Sequence, residues 1–159
     1  MTRLEPLRLG ARATIVGVEI SDVRKRVQGA IAAARERSNR RRLQTAEAEK
    51  AYESFLQQIA IPVTKQVATV LKAEGRLFTV FTPAGGLRLA SDRTGDDYVE
   101  FALDTTSDGA QVIGRVSRTH GSRTLHDERP IKPDTPPHAL TEEDVLTFIV
   151  DALQPWLER

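Results

Sequence analysis

Residues 21–74 read SDVRKRVQGAIAAARERSNRRRLQTAEAEKAYESFLQQIAIPVTKQVATVLKAE, and this stretch decides how the chain is built. It reads as helix almost throughout. Ser21 suits an N-cap, and Asp22 stands in the first turn, where a negative charge complements the helix dipole. Gly75 follows the last periodic residue and suits the left-handed C′ position. Only Gly29 and Pro62 oppose helix strongly. Gly29 costs about 1 kcal/mol relative to alanine. Pro62 lacks an amide donor and crowds the turn before it, which predicts a kink or break there.

The apolar pattern divides the stretch in three. Ile20, Val23, Val27, Ala30, Ile31 and Ala34 recur at helical spacing. Tyr52, Phe55, Leu56, Ile59, Val63, Val67, Val70 and Leu71 do so more strongly. Between them, residues 35–50 (RERSNRRRLQTAEAEK) are polar all round apart from Leu43. A helix polar on every side packs into no core. Unbroken, residues 21–74 would approach roughly 80 Å at 1.5 Å per residue, longer than a globule made from the remaining chain. The middle therefore protrudes, folds back as a hairpin at Ser38-Asn39, or lies beside a second chain.

Beyond Gly75 the period changes from 3.6 to 2. Strands are expected at residues 76–83, 86–91, 97–106, 110–119 and 122–129. Turns fall at Gly85-Gly86, at residues 92–96, at Ser107-Asp108-Gly109 and at His120-Gly121. The last strand is polar and reads as an edge. A further short strand is expected at residues 13–18 (ATIVGV). Short connections imply antiparallel pairing. Pro130, Pro133, Pro136 and Pro137 make a stiff linker. Thr141 caps a last helix in a capping box closed by Asp144, and its apolar face is Val145, Phe148, Ile149, Ala152, Leu153 and Trp156, with Pro155 disturbing the final turn. The fold class is α+β: a long N-terminal helical region, a four- to five-stranded antiparallel meander, and a C-terminal helix, the helix from Tyr52 and the last helix covering one sheet face. Three regions are expected: a lead-in at 1–19, an extended helical arm at 20–50 and a globular domain at 51–159.

Composition narrows the function classes. At 159 residues with 40% hydrophobic and 28% charged content, one domain with an extension is expected. The absence of cysteine excludes thiol catalysis, disulfides and Cys-based zinc sites. The first twenty residues lack the continuous apolar segment of a signal peptide, and no run of 18 apolar residues occurs, so a cytoplasmic protein of the bacterial-cytosol type is expected, with no membrane partner. Residues 1–50 carry 12 Lys/Arg against 6 Asp/Glu, a net +6, whereas residues 51–159 carry 11 against 16, a net −5. Such asymmetry points to an anionic partner, or to attraction between the two halves of one molecule or of neighbouring molecules.

Each chemistry-bearing group has a plainer reading. Arg35, Arg37, Arg40, Arg41 and Arg42 would suit phosphate contacts. They span several faces of a helix, though, with no aromatic residue interleaved for base stacking, and pairs such as Glu36–Arg40 belong to a solvated helix. His120 and His126, followed by Asp127 and Glu128, could approach across a hairpin as metal ligands. His120 lies at a turn and His138 in the Pro-rich linker. Asp92, Asp96 and Asp97 lack the ligand spacing of a calcium loop and suit turn chemistry. No Gly-x-Ser-x-Gly element and no phosphate loop occurs. The pattern calls for no cofactor.

These readings favour an interaction or regulatory module over an enzyme. It is expected to self-associate, as a dimer first of all, through the face of Ile20, Val23, Val27, Ile31 and Ala34. A protein partner for that face, a nucleic-acid-associated role for the arginines, and a small-molecule or catalytic role for the exposed sheet face are the alternatives.

Overall fold

The computed structural model describes residues 14–15, 17–106 and 109–158. The chain divides into two compact units, Met1–Gln44 and Thr45–Arg159. The first unit opens with a two-residue antiparallel ladder, β1 (Thr14–Ile15) on β2 (Val18–Glu19), turned at Gly17 with φ 77°. Two members of the expected strand at 13–18, Ala13 and Val16, lie outside the described residues, as does most of the lead-in. Helix α1 (Ile20–Phe55) follows directly. It begins one residue ahead of Ser21, whose hydroxyl reaches Glu19 at 3.5 Å instead of capping the helix.

α1 passes through Ser38-Asn39 without interruption, so the hairpin is not formed. Serine and asparagine each weaken a helix by only a few tenths of a kcal/mol relative to alanine. Without glycine or proline beside them nothing forces a reversal. Residues 20–44 of α1 belong to the first unit and residues 45–55 to the second.

The second unit begins where the apolar pattern strengthens. α1 leads into a single π-helical turn (Leu56–Ala60) and then into α2 (Ile61–Ala73). The disturbance expected at Pro62 is thus displaced one turn upstream. The Ile61 amide donates to the Leu56 carbonyl five residues back. The widened turn leaves room for the pyrrolidine of Pro62, which occupies the first turn of α2 and has no amide to lose. The turn also corrects a phase. Tyr52, Leu56, Ala60 and Thr64 are buried at intervals of four, and an α-helix drifts about 40° over four residues. The extra residue of the π turn absorbs that drift and keeps all four on one face.

Gly75 closes α2 as expected, at φ 80°. Its amide donates to the Lys72 carbonyl at 3.0 Å and the Arg76 amide to the Leu71 carbonyl at 2.8 Å, the paired bonds of a Schellman ending. The sheet follows as β3 (Phe78–Phe81), β4 (Leu87–Ser91), β5 (Tyr98–Asp104), β6 (Gln111–His120) and β7 (Arg123–Pro130), an antiparallel meander in chain order. β7 is the polar edge strand, exposed throughout except at Pro130. Of the turn at 107–109, Ser107 and Asp108 lie outside the described residues. α3 (Glu142–Leu157) closes the fold. Its capping box forms: the Asp144 amide donates to the Thr141 hydroxyl at 3.2 Å, and the Thr141 amide to the Asp144 carboxylate at 3.0 Å. That second bond, with Lys132 nearby at 3.7 Å, holds the Asp144 carboxyl below its ordinary value. Pro155 lies inside α3 without ending it. The last carbonyls of α3 are met by Arg76, whose guanidinium donates to Trp156 at 2.6 Å and Leu157 at 3.3 Å.

The core lies between one sheet face and the two helices. Cross-strand neighbours Leu87–Phe101, Leu89–Val99, Val99–Val116 and Leu103–Val112 form the inner face. Phe55, Leu56 and Val63 cover it from one side, and Val145, Phe148, Ile149, Leu153 and Trp156 from the other. Gly114, opposite Phe101 on β6, has a specific reason to be glycine. A Cβ there would overlap the ring of Phe148, which stands edge-on to Phe101 with centroids 5.8 Å apart. Tyr52 is 5% exposed, and its hydroxyl lies 3.3 Å from the carbonyls of both Gly85 and Phe101, where β4 begins.

Gly114→Ala forces the Phe148 ring away from the sheet and lowers stability by about 1–3 kcal/mol, as overpacked cores do. Urea unfolding measures this, and the penalty shrinks when Phe148 is also changed to Leu. Tyr52→Phe costs about 0.5–1.5 kcal/mol at neutral pH, the ordinary worth of a hydrogen bond. Burial, reinforced by the charge of Glu100, raises the Tyr52 phenol from 10.0 to about 12. A raised pKa stabilises the fold below the unfolded value and is lost as pH climbs through the folded one. The wild type therefore loses stability between pH 10 and about 12 more steeply than Tyr52→Phe, as unfolding curves across that window show.

Candidate interaction surfaces

Several polar groups that look like chemistry in the sequence bond to one another in the fold. On the outer sheet face, register aligns Arg88, Glu100, Arg115 and Glu128 across β4 to β7. Their signs alternate. Arg88 meets Glu100 at 2.7 Å and Arg115 meets Glu128 at 2.8 Å, and the bond that Arg115 donates to Glu128 raises its guanidinium above the ordinary value. Arg88 also lies 4.0 Å from the centre of the Tyr98 ring. Opposite charges facing across strands stabilise pairing, and exposed pairs contribute about 0–1 kcal/mol each. Their charges neutralise one another, which leaves this face a modest handle for a charged ligand.

The aspartates serve turns. Asp92 accepts from the Thr79 hydroxyl at 2.6 Å, and buried Asp97 accepts from the Thr119 amide at 2.6 Å. The Asp96 carbonyl accepts from the Ser117 hydroxyl at 2.7 Å. The histidines are separated by register: His120 ends β6 opposite Arg123, His126 lies on β7 opposite Ser117, and His138 sits in the 3-10 turn Pro137–Ala139. Among the described residues no three His, Asp or Glu side chains come together as a metal site. A cleft of about 610 Å³ beside the α2–β3 connection is lined by Arg76, Asp92, Asp97 and Trp156. All four already bond within the fold, Trp156 through its carbonyl.

The basic run lies on α1, and Arg35, Arg37, Arg40, Arg41 and Arg42 are all exposed. Arg40 pairs with Glu36 at 3.1 Å, the expected i,i+4 bridge, with both side chains mostly in solvent. At about 100° per residue the five arginines are distributed around the helix rather than along one side.

The apolar side chains left in water are more telling. Ile20, Val23, Val27 and Ile31 of α1 are 59%, 47%, 52% and 47% exposed, and Ala34 is exposed too. At about 100° per residue these five fall within one stripe roughly 80° wide. A helix keeps such a stripe when another surface covers it.

The second unit has a comparable surface. A groove of about 410 Å³ runs between α2 and α3, lined by Val63, Val67, Val70, Leu146, Val150 and Leu157 among others. Val70, Leu146, Val150 and Leu157 remain between 38% and 62% exposed. Val70 stands in the same helical pattern as the core residues yet lies 62% exposed in this groove, and Val67 borders the groove while also packing against the core. Leu146 and Val150, spaced four apart and off the core face of α3, were the signal for it in the sequence. No described helix is long and apolar enough to cross a membrane. Comparison with protein-family models, curated proteins and solved structures finds no match to this chain.

Proposed function

We propose that this protein is an interaction module that self-associates, as a homodimer, through the apolar stripe of α1. One observation carries the reading: Ile20, Val23, Val27 and Ile31 share one face of α1, the other faces carry no large apolar residue as far as Arg42, and all four are about half exposed. Covering what remains exposed on eight such side chains, four from each copy, contributes on the order of 6–12 kcal/mol, at about 1.5–3 kcal/mol for a complete burial. Association itself costs about 4–15 kcal/mol. The two ranges overlap, so assembly through the stripe is reversible and responds to concentration or to a competing partner. Such a module works by bringing copies of itself, and whatever the rest of the chain holds, together.

Light scattering across a concentration series tests the reading. The wild-type protein gains mass towards that of a dimer as concentration rises. The double substitution Val23→Glu and Ile31→Glu keeps its helical circular dichroism but stays monomeric. A wild-type monomer at every accessible concentration overturns the proposal.

A further inference from the structure

Resting on that self-association, we propose that the α1 stripe docks into the α2–α3 groove of a second copy of this chain, in a reciprocal two-fold dimer. The alternative is that two α1 stripes pair with each other, and the shape of the stripe argues against it. Ile20, Val23, Val27, Ala30 and Ala34 keep a 3-4 alternation for only two heptads, whereas a coiled coil is sustained over three or four. At the next two positions of that alternation stand Arg37 and Arg41, whose burial in a seam would be unfavourable. Ile31 widens the stripe beyond a two-residue seam, to the form a helix shows when it lies on a broader apolar surface.

The groove supplies such a surface. It is bordered by two helices, as in the recognition of an amphipathic helix by an apolar groove. Its apolar lining is accompanied by Glu142 and Glu143 and by no basic residue. The stripe carries the opposite sign. Arg24 and Arg26 lie on its two flanks, at about 60° and 100° from its middle by helical geometry. The same complementarity holds at larger scale: residues 1–50 are net +6 and residues 51–159 net −5.

Symmetry supports the assignment. Stripe-to-stripe pairing would cover one exposed apolar surface on each chain and leave the other in water. Stripe-to-groove pairing covers both on both chains, with residue i meeting j and j meeting i, as an isologous two-fold dimer requires. About twice as many half-exposed apolar side chains leave solvent.

The test uses two full-length single variants, Val27→Glu in the stripe and Val150→Glu in the groove. Val150 is 41% exposed on α3, so its replacement leaves the core intact. Sedimentation velocity reads the mass and circular dichroism confirms that each variant is folded. Each variant alone loses the dimer, its dissociation constant rising by roughly 30-fold or more, the effect of removing a central interface residue. An equimolar mixture regains a dimer at a concentration where each alone is monomeric, because the stripe of the Val150→Glu chain still fits the groove of the Val27→Glu chain. A Val150→Glu protein that dimerises like wild type overturns stripe-to-groove docking and leaves self-association through α1 standing. So does a mixture that stays monomeric. A wild-type monomer sinks both.

Discussion

The second unit depends on how closely two helices can approach one face of a five-stranded sheet. Phe148 presses its ring against β6, and it can do so because Gly114 offers no Cβ. On the other side, Ala60 and Thr64 bring the π turn and the start of α2 against the strands with small side chains, both at or below 1% exposure. Dense interiors tolerate little volume change, so these contacts constrain much of what surrounds them. The π turn maintains the phase of the buried face. The Schellman ending places Arg76, and Arg76 closes the end of α3. Each device sits at an element boundary, where backbone groups would otherwise lack partners.

The outer face, where Ala90, Ile113 and Ser117 are also buried, carries an alternating row of charges in which Arg88 pairs with Glu100 and Arg115 with Glu128. Chemistry that needs an unneutralised charge finds little there. Two apolar surfaces among the described residues are left partly in water: the α1 stripe in one unit and the α2–α3 groove in the other. Water penalises both surfaces in proportion to their apolar area. Association would relieve that penalty, which is why the functional reading turns on docking rather than on catalysis.

Much of the architecture was legible along the chain. The shift from a period of 3.6 to a period of 2 after Gly75 marks the passage from helices to sheet, and alternation in residues 97–106 separates Val99 and Phe101 from Tyr98 and Glu100. Thr141 with Asp144, and Gly75 after α2, are local devices whose partners lie within a few residues, so sequence suffices to recognise them. The α1 stripe was legible for the same reason, since helical spacing alone places Ile20, Val23, Val27 and Ile31 together. The reversal at Ser38-Asn39, one of three courses open to the middle, does not form, because polar residues permit a turn without requiring one.

Tertiary structure decided what depends on distant residues. That Arg88, Glu100, Arg115 and Glu128 stand in one row is a matter of register across four strands. That Arg76 meets Trp156 and Leu157 joins positions some eighty residues apart. The groove exists because α2 and α3 lie side by side, which turns Val70 from an apparent core residue into part of an exposed wall. By itself the sequence determined the elements, their ends and the apolar faces, because these follow from periodicity and from side chains acting on their own backbone. Which faces met, and which were left uncovered, followed only from packing in three dimensions.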